Sequence, residues 1–260
     1  MTVRLQNVTK TVRVHGKPRV LFDGLDLEIG SHERIGVLGL PKSGKTTLLR
    51  LICGTERPDS GRIQSDSNIS WPIPYADFIV PNASLGWNIR SVARFYGIKD
   101  RDFPRRVGEL GGLGQFINLP LTRCPPYARQ QLGFAIGIAM DFDLYLFDNQ
   151  IVPPRKEFRE QALEFLAERT EGKAFLLATG VAPVVAERCD TAYVLEHGRA
   201  THFSDPKEAA EYFKGLLKAE GERKKVAEGQ EKPADDLTDS TSEEEERSVE
   251  LVGAAVADVF

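Results

Sequence analysis

The chain has 260 residues, 28% charged and 41% hydrophobic, a balance that suits one large or two small folded domains and excludes wholly disordered, collagen-like or membrane-embedded chains. Its net charge of -4 is unevenly spread: residues 219–260 hold 13 acidic and 5 basic side chains, while residues 1–218 are net basic. The longest apolar run, Phe134 to Met140, falls far short of the roughly 20 residues of a membrane helix, no apolar leader opens the chain, and Cys53, Cys124 and Cys189 form no CxxC pair, so a cytoplasmic protein without a disulfide or zinc framework is expected.

From the N-terminus, Val3 to Ile29 alternates apolar and polar residues around Gly16, Pro18 and Gly24, which predicts a small antiparallel sheet. Four continuous apolar runs follow at intervals: Arg34 to Leu38, Leu144 to Phe147, Ala174 to Ala178 and Ala192 to Leu195. Strands covered on both faces by helices read this way, so they predict a mostly parallel core sheet and an α/β fold. Between residues 81 and 140, helical stretches over Ser84 to Tyr96 and Ala128 to Met140 are separated by glycines and prolines, which predicts a helical insertion. Residues 219–260, with the Glu243 to Glu246 run and few large apolar side chains before Leu251, cannot bury enough surface to offset ordering and are expected to be a largely disordered acidic tail with an apolar end.

Chemistry concentrates at Gly39 to Thr46, GLPKSGKT, which satisfies G-x-x-x-x-G-K-[ST] directly after the strand RIGVL and at the start of an amphipathic helix, Lys45 to Cys53. A loop that wraps phosphates needs glycine where side chains would block approach, and the free N–H groups of a helix N-terminus attract anions. Gly39, Lys42, Ser43, Gly44, Lys45, Thr46 and Thr47 are therefore candidate nucleotide-binding residues, with Lys45 toward the β- and γ-phosphates and the Thr46 hydroxyl toward Mg²⁺. A second metal-side group is expected at the end of a neighbouring strand, and LYLFD supplies Asp148. An aspartate after an apolar run is also a common strand terminator or helix cap; its pairing with the phosphate loop favours the magnesium role. ATP or GTP with Mg²⁺ is the implied ligand. No nucleic acid is expected as a partner.

Several stretches resemble ATP-binding cassette (ABC) proteins, and most of all the ATPase subunits of bacterial capsular polysaccharide exporters: VRLQNVTK, GKTTLLRLICGTERPDSGRI, SNISWP at Ser67 to Pro72, NIRSVARFYG at Asn88 to Gly97, LGFAIGIAMDFDLYLFD at Leu132 to Asp148 and CDTAYVLEHGR at Cys189 to Arg199. The resemblance spans roughly residues 2–214 and implies a P-loop NTPase with a RecA-like core, an antiparallel β subdomain and a helical subdomain over about 81–140, all within an ABC-type domain at 1–218. It implies ATP and Mg²⁺ as cofactors and a head-to-tail dimer, either a homodimer or a heterodimer with another ABC ATPase. It further implies a membrane permease as partner, placing the chain peripherally on the inner face of the bacterial inner membrane.

The same resemblance exposes departures. Asn149 stands where the family carries a catalytic glutamate, and an amide cannot take a proton from attacking water. CPPYARQQL occupies the LSGGQ-like signature, so Pro125 lacks both N–H and hydroxyl, and Tyr127 fills a glycine position. Gly180 replaces the switch histidine, and His15, His32, His197 and His202 lie elsewhere, expected to be solvent-facing or locally bonded. Val80 falls at the Q-loop glutamine, Val12 at the adenine-stacking aromatic, and Lys42 at a customary P-loop glycine. No catalytic group is intact, so the expectation is an ATP-binding exporter subunit with weak or absent hydrolysis as a homodimer, or a non-hydrolysing regulatory or scaffold subunit beside a competent ATPase. A soluble P-loop kinase would need an acceptor site and lid that nothing marks.

Overall fold

A computed structural model describes residues 3–74, 78–149 and 159–230. The predicted hairpin forms from β1 (Val3–Val14) and β2 (Lys17–Ile29), closed by a turn at His15 and Gly16, both with positive φ. A third strand completes this sheet, since β4 (Ser60–Ser65) pairs with the first half of β1 and gives the order β2-β1-β4.

The core sheet has six strands in the order β5-β6-β7-β3-β8-β9. β3 (Arg34–Gly39), β6 (Leu144–Asp148), β7 (Ala174–Thr179) and β8 (Thr191–Glu196) are the four predicted runs, and they pair in parallel. Two edge strands were not read from sequence: β5 (Ile69–Ile73), parallel to β6, and β9 (Arg199–Phe203), antiparallel to β8.

Side chains of the core strands alternate between two hydrophobic layers, as the pleat requires. Ile35, Val37, Leu144, Leu146, Leu176 and Ala178 face the layer shared with α1 (Lys45–Ile52) and the antiparallel sheet. Leu38, Tyr145, Phe147, Phe175 and Leu177 face the opposite layer. That layer holds α2 (Leu85–Phe95), α3 (Phe103–Leu110), α4 (Ala128–Ala139), α6 (Ala182–Arg188) and the first turns of α7 (Pro206–Gln230). Gly36 is required here, because a Cβ would collide with Val185 and Cys189 of the α6 region.

The insertion between residues 81 and 140 is helical, as expected. Ser84 caps α2 by accepting from the Trp87 N–H at 3.1 Å. Asn88, buried in α2, accepts from Val80 N–H at 2.8 Å and donates to the Val80 and Ser84 carbonyls, each at 3.1 Å. The loop before α2 is thereby tied to the helix. Asn88→Ala leaves the Val80 N–H without its partner and is expected to cost about 1–3 kcal/mol, measured as a lowered urea midpoint with faster hydrogen exchange at Val80.

α5 (Arg159–Thr170) precedes β7, and α7 continues through residues 219–230, which composition placed in the acidic tail. The physical reason is local: AEGERKKVAEGQ is rich in strong helix formers, with opposite charges spaced to support a helix. The rest of the expected tail, 231–260, lies outside the described residues. No helix among the described residues is long and apolar enough to cross a membrane.

Candidate functional site

The phosphate-loop motif forms the corner between β3 and α1. Its turn uses left-handed backbone twice, at Lys42 (φ 64°) and at Gly44 (φ 101°), the N-cap of α1. Gly44 cannot carry a side chain: a Cβ would lie 2.8–2.9 Å from Leu21 and Phe22 of β2, which pack against the loop. Lys42 is the unusual member, an exposed lysine holding a conformation glycine adopts at lower cost. A Cβ on Gly39 would collide with the Ser43 hydroxyl. Ser43 N–H donates to Leu40 O at 3.1 Å and Leu48 N–H to Gly44 O at 2.8 Å, closing the loop and opening the helix.

Within this turn Lys45 Nζ donates to the carbonyls of Gly39 at 2.6 Å and Leu40 at 3.1 Å. Thr46, in the first turn of α1, donates its hydroxyl to Asp148 Oδ2 at 2.6 Å. Asp148 closes β6 and is 1% exposed; its other oxygen, Oδ1, and the Ser43 hydroxyl are buried without a hydrogen-bond partner. Burial raises the Asp148 pKa, opposed by the Thr46 hydrogen bond and by the charges of Lys45 and Arg50. Burial also lowers the Lys45 pKa, with Asp148 opposing it.

The orphaned carboxylate oxygen beside a threonine hydroxyl is a hard-oxygen donor set that fits Mg²⁺. The ammonium and loop N–H groups fit an anion. A raised folded-state pKa means that protonation favours the folded form. Asp148 therefore lowers stability progressively as pH climbs from the ordinary carboxylate range through its raised value. Asp148→Asn is expected to remove that component and raise the melting temperature of the ligand-free protein at neutral pH, while leaving it unchanged in acid.

Sheet register brings further predicted positions to the same edge. Asp148 pairs with Ala178, and Leu38 with Thr179. Asn149 follows Asp148 in a left-handed conformation (φ 65°) and donates its N–H to Ala178 O at 2.7 Å. Gly180 sits beside the start of the loop, where a Cβ would meet only Gly39 O, at 3.9 Å. Lys45, Thr46, Asp148, Asn149 and Gly180 thus gather at one strand edge, with Thr47 in the first turn of α1.

The remaining positions lie elsewhere. Pro125 to Tyr127 precede α4, which packs on α3 and β5, and Tyr127 is half-buried against the helical layer. Val80 is held by Asn88, and Val12 pairs with Arg19 in the outer hairpin. Of the histidines, His15 lies exposed in the hairpin turn, His197 contacts its neighbour Glu196 and His202 lies against the Tyr193 ring, whereas His32 Nδ1 bonds the distant Gly172 O. The three cysteines are free, and no group of metal-ligating side chains of three or more occurs among the described residues.

Sequence reasoning missed an aromatic chain. Exposed Phe95 contacts Tyr96, which packs on Phe142; Trp71 joins Phe78, Tyr96 and Phe142. From Phe142 the chain continues inward through Tyr145 and Phe147 to Phe175. The quoted ISWP and VARFYG stretches contain Trp71, Phe95 and Tyr96, but their convergence is a tertiary fact.

The family model for ABC transporters matches residues 22–84. The ATP-binding protein BexA of Haemophilus influenzae is 29% identical over 211 residues, covering 81% of this chain and 97% of that protein. The polysialic acid transport ATP-binding protein KpsT of Escherichia coli is 30% identical over 198 residues, covering 75% and 88%. Among solved structures, an ATP-binding cassette dimer in a post-hydrolysis state with ADP and Pi superposes with a TM-score of 0.64 at 19% identity, covering 78% of this chain and 98% of that one. An ATP-binding subunit of an ABC transporter gives 0.67 at 17%, covering 78% and 90%. The structural matches establish a P-loop NTPase fold, and the sequence relatives extend over nearly their full length, so the chain belongs to the ATP-binding proteins of ABC transporters.

Proposed function

We propose that the chain is the ATP-binding subunit of an ABC-type polysaccharide exporter, one that binds Mg-ATP and hydrolyses it weakly or not at all as a homodimer. The observation carrying this reading is the Thr46 to Asp148 hydrogen bond of 2.6 Å beside the half-buried Lys45 ammonium. A phosphate-directed cation and a metal-directed oxygen pair stand side by side there. Lys45 and the N–H groups of Gly44 to Thr47 at the start of α1 would hold the β- and γ-phosphates, and Thr46 with Asp148 would hold Mg²⁺. Bound there, Mg²⁺ would neutralise phosphate charge. The substrate class comes from the relatives, whose names include capsule polysaccharide export in Neisseria meningitidis and polysialic acid transport in Escherichia coli.

Weak turnover follows from the neighbours of that site. The Asn149 amide cannot accept a proton from water, and Gly180 offers no side chain toward the loop. In a head-to-tail dimer, Pro125 and Tyr127 would present neither a hydroxyl nor a bare backbone to the opposing triphosphate. In the domain plan we favour, an ABC-type unit over 1–218 carries its helical part at about 81–140 and is followed by the acidic segment. The exposed Phe78, Phe95 and Tyr96 are apolar surface suited to a permease's cytoplasmic helices at the inner face of the membrane.

The joint loss at Asn149, Gly180 and Pro125 favours a second reading, a non-hydrolysing regulatory subunit paired with a competent ABC ATPase. Calorimetry with Mg-ATP, followed by single-turnover hydrolysis in the complex with its membrane partner, tests both. Binding without turnover is expected. Absence of binding to any purine nucleotide overturns both readings, and a hydrolytic burst removed by Lys45→Ala overturns the claim of weak turnover.

A further inference from the structure

Beyond the Thr9 to Ser60 pair, β4 no longer accompanies β1, so Lys10 to Val14 and Lys17 to Phe22 continue as a two-stranded ribbon. No acidic residue occurs from Lys10 to Phe22. Lys10 is ion-paired with Glu56 and Asp59, but Arg13, Lys17 and Arg19 are exposed and have no ion pair among the described residues. The register puts exposed Val14 on one face with Lys17 and Arg19, and exposed Val20 on the other with Arg13. The ribbon leaves the domain beside the phosphate loop, because Leu21 and Phe22 are the side chains packed on Gly44. Arg19 is only two residues from Leu21, about 7 Å along a strand.

The C-terminal helix heads for the same edge. It begins after Phe203, whose partner Ala192 lies at the far end of β8, and its Tyr212 donates to Glu196 Oε2 at 2.9 Å, next to the Leu195 that pairs with Gly39. The helix continues to Gln230 and so projects past this edge by about 27 Å at 1.5 Å per residue. Residues 231–248 then carry eight acidic side chains against two basic ones, followed by the apolar stretch Val249 to Phe260. From Gln230 to Glu243 the chain can span at most about 45 Å, enough to return from the helix end to the ribbon.

We propose that this acidic segment folds back onto the ribbon, with the carboxylates of 239–246 against Lys17 and Arg19 and the apolar end against Val14 of the same face. That face offers two cations beside an apolar side chain, the two chemistries the segment carries, and tethering holds segment and ribbon at a roughly millimolar effective concentration. Seated there, the carboxylates flank the phosphate loop and oppose an anionic ligand. This opposition rests on the nucleotide reading above; the docking itself does not.

Zero-length carbodiimide coupling of the full chain tests it, since only a lysine in contact with a carboxylate reacts. At 50 mM NaCl, intrachain links are expected to concentrate between Lys17 and residues 239–246. They should fall at least about fivefold at 0.5 M NaCl, where screening acts over roughly 4 Å. The Arg19→Ala variant should lose them similarly, and a melting curve equal to wild type shows that the fold is kept. Links spread evenly over Lys99, Lys173 and Lys207 overturn the proposal, as do links found only between chains, which would make a second copy the occupant. Capture of the chain by phosphatidylcholine and phosphatidylglycerol vesicles through the ribbon, with no link formed, would make a lipid surface the occupant and also overturn it. Saturating Mg-ATP should reduce the Lys17 links. Links that persist on nucleotide-loaded protein overturn the opposition, whereas failure to bind nucleotide overturns the site reading and leaves the nucleotide-free links to decide the docking.

Discussion

Lys45→Ala is expected to weaken Mg-ATP binding about 100-fold, because hydrogen bonds from a charged donor contribute roughly 1.5–3 kcal/mol each and the ammonium would contact more than one phosphate oxygen. Its effect on folding should be small or mildly favourable. Burial works against the charged form of this lysine, and it donates to the Gly39 and Leu40 carbonyls in the ligand-free loop. Isothermal calorimetry read together with a thermal melt separates the two effects. Unchanged affinity would remove the loop from the phosphate site, and a collapse of the melt would make Lys45 a structural residue.

Asn149→Glu combined with Gly180→His is expected to raise single-turnover hydrolysis about 10²-fold, the lower end of what a positioned general base contributes. Geometry favours the histidine, since a Cβ at Gly180 meets nothing closer than Gly39 O at 3.9 Å. It works against the glutamate. Asn149 holds φ 65°, a left-handed backbone that asparagine accepts and glutamate adopts at a cost of roughly 1–2 kcal/mol. The double variant should therefore melt lower while turning over faster. A rate no higher than wild type would place the deficit in the Pro125 to Tyr127 segment instead.

The core strands were legible because they are buried on both faces and read as unbroken apolar runs, and the phosphate loop because its glycines answer to local backbone geometry. Ser84 was visible as a helix start because its cap is a local hydrogen bond. What was hidden depends on partners distant in sequence. β4, SGRIQS, has a largely exposed face and is a strand only because β1 offers it a ladder. β5, ISWPI, contains a proline that argues against a strand, yet it lies at the sheet edge where a missing N–H is tolerated. Asn88 is silent for a different reason: its partners, though near in sequence, are main-chain atoms of residues 80–84 that no side-chain pattern marks. The Thr46 to Asp148 bond could be anticipated only by joining two motifs 102 residues apart.

The aromatic chain from Phe95 to Phe175 has a mechanical consequence. Its rings touch edge to face or stack at 5.3–6.4 Å, and Phe147 immediately precedes Asp148 in the same strand. Close-packed rings resist compression, so a load applied at Phe95 pushes on the strand that carries the buried carboxylate. The outer rim and the phosphate corner are the two ends of one stiff strut.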